Sequence, residues 1–144
     1  MSVERTIANF LRIAREDLAG ARHLVSVGNR NGAYLAEQAA EKVIRAVLTS
    51  EGVHAGVSHD LREMVRLVPD ANPIKPLLAA TAVLGIYATS YRYPGTVRIP
   101  PAPTVSAIEG HFKNVQSALD AAAKGFGVDF AAVDAVATRP APLR

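Results

Sequence analysis

The sequence predicts an all-α protein, a single up-and-down helical bundle of about five helices. Three observations carry this. Ile7, Phe10, Leu11, Ala14, Leu18, Ala21 and Val25 recur at three- and four-residue steps, and so do Ala36, Ala39, Ala40, Val43 and Val47, the spacing of one face of a helix. No stretch supports a strand. The breaks between the apolar stripes are short and hold Gly, Asn or Pro, which favours antiparallel neighbours.

The first helix is expected over Val3 to Val27, with Gly28 as its stop signal. Asn29-Arg30-Asn31-Gly32 reads as a turn, because Asn and Gly accept positive φ readily. The central helix follows, around Tyr34 to Leu48, and ends near Ser50-Glu51 with Gly52 as a left-handed cap. Its apolar stripe faces one way, while Tyr34, Gln38, Glu41 and Arg45 fall within roughly 60° of one another on the other side, with Lys42 at the edge. Taken alone, that polar side reads as a solvated face carrying a Glu41–Arg45 ion pair at i,i+4.

Asp60 with Glu63 three residues on is a variant of the capping box, opening a short third helix that Pro69 stops. Leu61, Met64, Val65 and Val68 form its buried side. Asn72-Pro73 suits the cap and first position of a fourth helix. From Leu77 to Ala88 that helix is apolar almost all round, so it should be packed on several sides. Val97 to Pro103 holds three prolines and reads as an extended connection. Ser106 and Glu109 stand at capping-box spacing before a fifth helix whose seam is Ile108, Phe112, Val115, Leu119 and Ala122, with Gly125 ending it. The bundle is therefore expected over residues 1–125, with 126–144 a C-terminal extension holding one short helix, Asp129 to Ala137, and a Pro-rich tail.

Bulk properties bound the function. With 144 residues the chain is the size of one domain with a real core, and 49% hydrophobic against 20% charged residues describes a globular protein. No apolar run approaches the ~20 residues that span a bilayer, so no membrane association is expected. The N-terminus lacks the apolar core of a signal peptide, and cysteine is absent, which points to a cytoplasmic protein without disulfides or thiolate chemistry. A net charge of +3 permits a phosphate or nucleic-acid partner without demanding one. No two of the four histidines share a helical face at metal-ligand spacing. No Gly-rich phosphate loop or nucleophile elbow occurs, so neither a metal nor a cofactor is expected.

Ala14-x-x-Asp17-Leu18-x-x-Ala21-x-x-Leu24, then Tyr34 with Gln38-Ala39-Ala40-Glu41-Lys42, then His59-Asp60-Leu61, and finally Tyr91-Arg92-Tyr93-Pro94 stand in one order along the chain. That ordered set resembles the HEPN domain over roughly Ile7 to Leu119. The resemblance implies a helical bundle, often a homodimer, that binds a nucleotide or serves as the partner of a small nucleotidyltransferase in toxin–antitoxin systems. Many HEPN proteins are ribonucleases using an R-x4-6-H motif, in which Arg stabilises phosphate charge and His moves the proton. Here no histidine follows an arginine at that spacing; the nearest, Arg15 and His23, are separated by seven residues. No catalytic residue is therefore assigned. An RNA-cleaving toxin with a dispersed site, for example His59 with Arg92, and a non-catalytic dimeric scaffold stand as alternatives to the binding module.

The candidate ligand-binding residues are Glu41, Lys42, His59, Arg92 and Tyr93. Arg92 would grip a phosphate, Tyr93 would stack on or bond a base, and Glu41 would orient the arginine. Lys42 would add charge, and His59 would bond the ligand or transfer a proton. Plainer roles stand beside these. Tyr91 to Tyr93 would clamp the exit of the fourth helix, with Arg92 paired to Asp17 or Glu41, and His59 would bond backbone at the start of the third helix. Asp17, partly shielded on the first helix, reads as half of a structural ion pair with Lys42 or Arg92.

Overall fold

The computed structural model of the chain describes residues 2–88, 95 and 99–144. Among these the elements are α1 (Val3–Ser26), α2 (Asn31–Glu51), α3 (Leu61–Leu67), α4 (Lys75–Thr81), a 3-10 helix (Ala82–Tyr87) and α5 (Val105–Phe126), with no strand. The Tyr91-Arg92-Tyr93-Pro94 motif lies outside the described residues.

The two longest apolar stripes make α1 and α2 a tightly packed hairpin. The turn is shorter than the sequence suggested. Gly28 supplies the positive φ (73°), the Asn29 side chain accepts from the Asn31 N–H at 2.9 Å, and α2 begins at Asn31. Gly32 is thus helical, and its missing side chain serves packing. A Cβ there would stand 2.5 Å from Val25 Cγ2 and 2.9 Å from the Ala21 carbonyl oxygen, so only glycine allows α1 this close.

α2 is the axis of the molecule. It packs against α1, α5, α3, α4 and the 3-10 helix, and no residue from Gly32 to Ser50 is fully exposed. The side read as solvated is therefore covered, and Glu41 is only 5% exposed. Ile7, Leu11, Ile44, Leu48, Leu78, Phe112, Leu119 and Phe126 close the core, each at 2% exposure or less.

α3 opens as its sequence implies, with Asp60 Oδ1 accepting from the Arg62 and Glu63 N–H groups at 2.9 and 3.3 Å. Glu63 pairs with Arg66 one turn on. α4 departs from expectation in two ways. Asn72 accepts from the Ile74 N–H in a local turn, so the helix starts at Lys75 with Pro76 in its first turn, and it tightens to 3-10 geometry at Ala82. Nor is it packed all round. Leu78, Thr81, Ala82 and Leu84 are buried, while Leu77, Val83 and Ile86 are exposed.

The cap of α5 is Thr104, whose hydroxyl accepts from the Ala107 N–H at 3.2 Å, in place of Ser106. Its stop is Gly127 (φ 65°), in place of Gly125. Residues 129–137 form turns with no helix. Contacts with the bundle decide that: the Ala137 N–H donates to the Glu4 carbonyl at 3.0 Å, and the Arg139 guanidinium to the last carbonyls of α5 at Lys124 and Gly125. Beyond the turns, Leu143 seats on Gly125, and Arg144 forms a two-pronged pair with Glu51 at 2.7 and 3.1 Å.

Candidate functional site

A second stripe on α2, Glu37, Glu41, Ile44 and Leu48, runs at four-, three- and four-residue steps and is buried throughout. The Asp60 cap sets the direction of α3, and the loop before it brings His59 over this stripe. Glu41 then makes two contacts: Oε1 lies 3.1 Å from His59 Nδ1, and Oε2 accepts from Arg45 Nε at 3.3 Å. Arg45 also donates to the Ser58 carbonyl at 2.7 Å, tying the loop to α2.

A carboxylate only accepts, so Nδ1 carries the proton facing Glu41 and the imidazole presents Nε2 on its other side. The His59 side chain is 72% exposed while that of Glu41 is 7% exposed. A buried acid thus aims an open histidine. Beside it lies a cleft of about 430 Å³, with His59, Asp60 and Arg62 on one wall and Ala82, Val83 and Ile86 on the other. A larger cleft, about 510 Å³, runs between α1 and Phe130–Val133 and holds none of the candidate ligand-binding residues named from the sequence. The smaller one is the candidate site, because it is lined by His59, the histidine that the buried Glu41 carboxylate holds.

Not every expected residue joins this cluster. Lys42 turns to α1, where its ammonium bonds Asp17 Oδ2 at 2.6 Å and Gln38 Oε1 at 3.4 Å, and Asp17 thereby has its partner. Arg92 and Tyr93 lie outside the described residues.

Glu37 is a member that sequence reading passed over. It is fully buried, with Oε2 accepting from Gln38 Nε2 at 2.9 Å and Oε1 without a hydrogen-bond partner among the described residues. Burial pushes its carboxyl up to about 7, and the nearby Glu41 charge pushes the same way. The Gln38 hydrogen bond, His59 and Lys42 act against them. The sequence hinted at this covered side only through Ile44 and Leu48, which continue the line of Glu37 and Glu41 at helical steps. Among the described residues no group of three or more His, Asp or Glu is placed to hold a metal ion. The arrangement suits hydrogen bonding to an anion and transfer of a proton at Nε2. No helix of the described residues is long and apolar enough to cross a membrane.

Comparison with known proteins agrees with this fold. The backbone is similar to the crystal structure of TT1696 from Thermus thermophilus, with a TM-score of 0.68 and 24% sequence identity over 82% of this chain and 96% of that one. No curated protein matches the chain. The model of the HEPN domain matches residues 7–124, covering the α1–α2 hairpin, the His59 loop and nearly all of α5. The chain belongs to the HEPN domain family.

Proposed function

We infer that this protein is a binding module that holds a nucleotide or an RNA phosphate in the cleft beside His59. The observation that carries this reading is the 3.1 Å contact between buried Glu41 and open His59. Glu41 fixes the imidazole, so that Nε2–H of the protonated ring donates to a phosphate oxygen without first being ordered. Arg62 on the same wall adds charge, and Ala82, Val83 and Ile86 offer an apolar surface to a sugar or base. Arg92 and Tyr93 enter from the sequence alone, as phosphate grip and base-stacking ring. Lys42 acts at longer range, since Asp17 holds its ammonium.

Membership of the HEPN family supports two further parts of the reading. The protein docks a small nucleotidyltransferase as half of a toxin–antitoxin pair, and it does so as a homodimer. Titration of a nucleotide panel by calorimetry tests the binding claim. His59→Ala and Arg92→Ala should each weaken binding at least ~tenfold while Lys113→Ala does not, the loss of one charge-assisted bond. Absence of binding by the wild type at millimolar nucleotide, or equal binding by all three variants, defeats it.

The same His–carboxylate geometry also favours a second reading, an RNA-cleaving toxin. A histidine held by an acid and open at Nε2 is built as a proton-transfer group should be. On that reading His59→Ala lowers cleavage of an RNA substrate by roughly 10²–10⁴-fold. Wild-type protein that leaves RNA intact removes it and leaves the binding module standing.

A further inference from the structure

The larger cleft, about 510 Å³, is formed by α1 and the turn segment after α5. Two guanidiniums face it. Arg12 donates from Nη1 to the Val133 carbonyl and from Nη2 to the Ala132 carbonyl, both at 3.0 Å. These oxygens lock the side chain without neutralising it, and three of the five N–H donors of an arginine are left over. Arg15, one turn along the same face, lies over the Phe130 ring with its Cζ 5.1 Å from the ring centroid. That contact holds the guanidinium over the ring, and no hydrogen-bond acceptor among the described residues engages its N–H groups.

Several other cations of the described residues pair with acids. Arg22 meets Glu109, Lys42 meets Asp17, Arg45 meets Glu41, and Arg144 meets Glu51. Among the described residues neither Arg12 nor Arg15 has a carboxylate within ion-pair distance, although Glu16 stands on the same wall. The groove thus holds two oriented, uncompensated forks i,i+3 on one helix face. Opposite them are the Phe130 ring and Val133, the latter 87% exposed. An apolar side chain so placed gains nothing from the core, and it makes one lip of the cleft.

We propose that this groove is a second binding site, for a small organic anion: a phosphate or carboxylate on a flat apolar body. The oxyanion bridges Arg12 and Arg15, because guanidinium forks match paired oxygens. The body lies against Phe130 and Val133. The volume suits a molecule of modest size and the open mouth implies a weak, readily reversible ligand. Glu16 at the mouth opposes the anion and tunes the site down. None of this depends on the His59 cleft, so either reading can fail without the other.

The test is an NMR titration of the full chain with phenyl phosphate, with benzyl alcohol as the neutral match and inorganic phosphate as the bare anion. Phenyl phosphate should shift the Phe130 to Val133 amides and the Arg15 Nε–H, and bind at least ~tenfold tighter than either control, the effect of adding one well-made charged contact. Arg15→Gln should lose that margin, and Glu16→Gln should tighten binding by about threefold, as removing one partly screened like charge does. The Glu16 variant disturbs no packing contact, so it reports on the site even if the loss of Arg15 loosens Phe130. His59→Ala should change nothing here. Equal binding of phenyl phosphate and benzyl alcohol overturns the proposal. So do shifts confined to the His59 wall, or Arg15 and Glu16 variants that both titrate like the wild type.

Discussion

At the scale of single residues, Glu37 shows how burial alone changes what a carboxyl group does. Its side chain has no exposed surface, and its pKa is raised from 4.5 to about 7, first by burial and next by Glu41. Below pH ~4.5 the group is protonated both in the fold and in the unfolded chain, so it costs nothing. Between ~4.5 and ~7 the unfolded chain ionises while the fold keeps its proton, and stability falls as pH rises. Above that window the penalty is constant, on the order of 3 kcal/mol. Glu37→Gln keeps the shape and cannot ionise. Its melting temperature should therefore match the wild type near pH 4.5 and exceed it by several degrees near pH 8, a difference measurable by calorimetry at the two values. A wild-type excess at pH 8 would mean that the ionised carboxylate has a partner and is not a burden.

At the scale of elements, ends are decided by which backbone groups find partners. Thr104 accepts from the Ala107 N–H, whereas Ser106, which also matches a capping pattern by spacing, lies one residue inside α5. Thr104→Ala should then cost about 1 kcal/mol, the usual worth of such a cap, while Ser106→Ala should be close to neutral. Urea unfolding of both variants checks this, and a larger loss at Ser106 would return the helix start to that residue. The capping-box spacing of Ser106 and Glu109 drew the sequence reading to Ser106, two residues past the hydroxyl that caps the helix. The long stripes were easier, because about twenty residues of α1, α2 and α5 repeat one period and local exceptions average out. α4 has seven residues and two prolines just before or within it, too short for a period to show, and the local turn that Asn72 closes on Ile74 moves its start to Lys75. The expected helix at 129–137 lost to long-range bonds such as that of Arg139 to the α5 carbonyls, which leave no trace in local pattern. The site follows the same rule. Glu41 and His59 were legible as members of an ordered set of motifs, and they meet in space. Glu37 was not, since an acid on a helix reads as solvated until the neighbours covering it are known.

At the scale of the whole molecule, the unfinished surface is the outer side of α4 and the 3-10 helix. Leu77 and Val83 are each 37% exposed and Ile86 is 61% exposed, side chains that an apolar helix would bury against a neighbour. An apolar strip of this kind on one flank is suited to meeting its own copy about a two-fold axis. The protein should therefore sediment or scatter as a homodimer at micromolar concentration. Replacing Leu77 and Val83 together with Glu should place two unpaired charges per chain in the contact. Even a few kcal/mol of desolvation raises the dissociation constant more than ~100-fold, enough to give monomers at the same concentration. Circular dichroism of the variant checks that the fold survives, since each side chain is 37% exposed and the rest of it is covered by its own chain. Wild-type protein that is monomeric at tens of micromolar, or a double variant that stays dimeric, would take this surface out of the assembly. If the variant is monomeric yet binds nucleotide as the wild type does, the His59 cleft is complete within one chain. If affinity falls, the new charge at Val83 is itself a cause, because Val83 lines that cleft, and Leu77→Glu alone separates loss of the dimer from damage to the site.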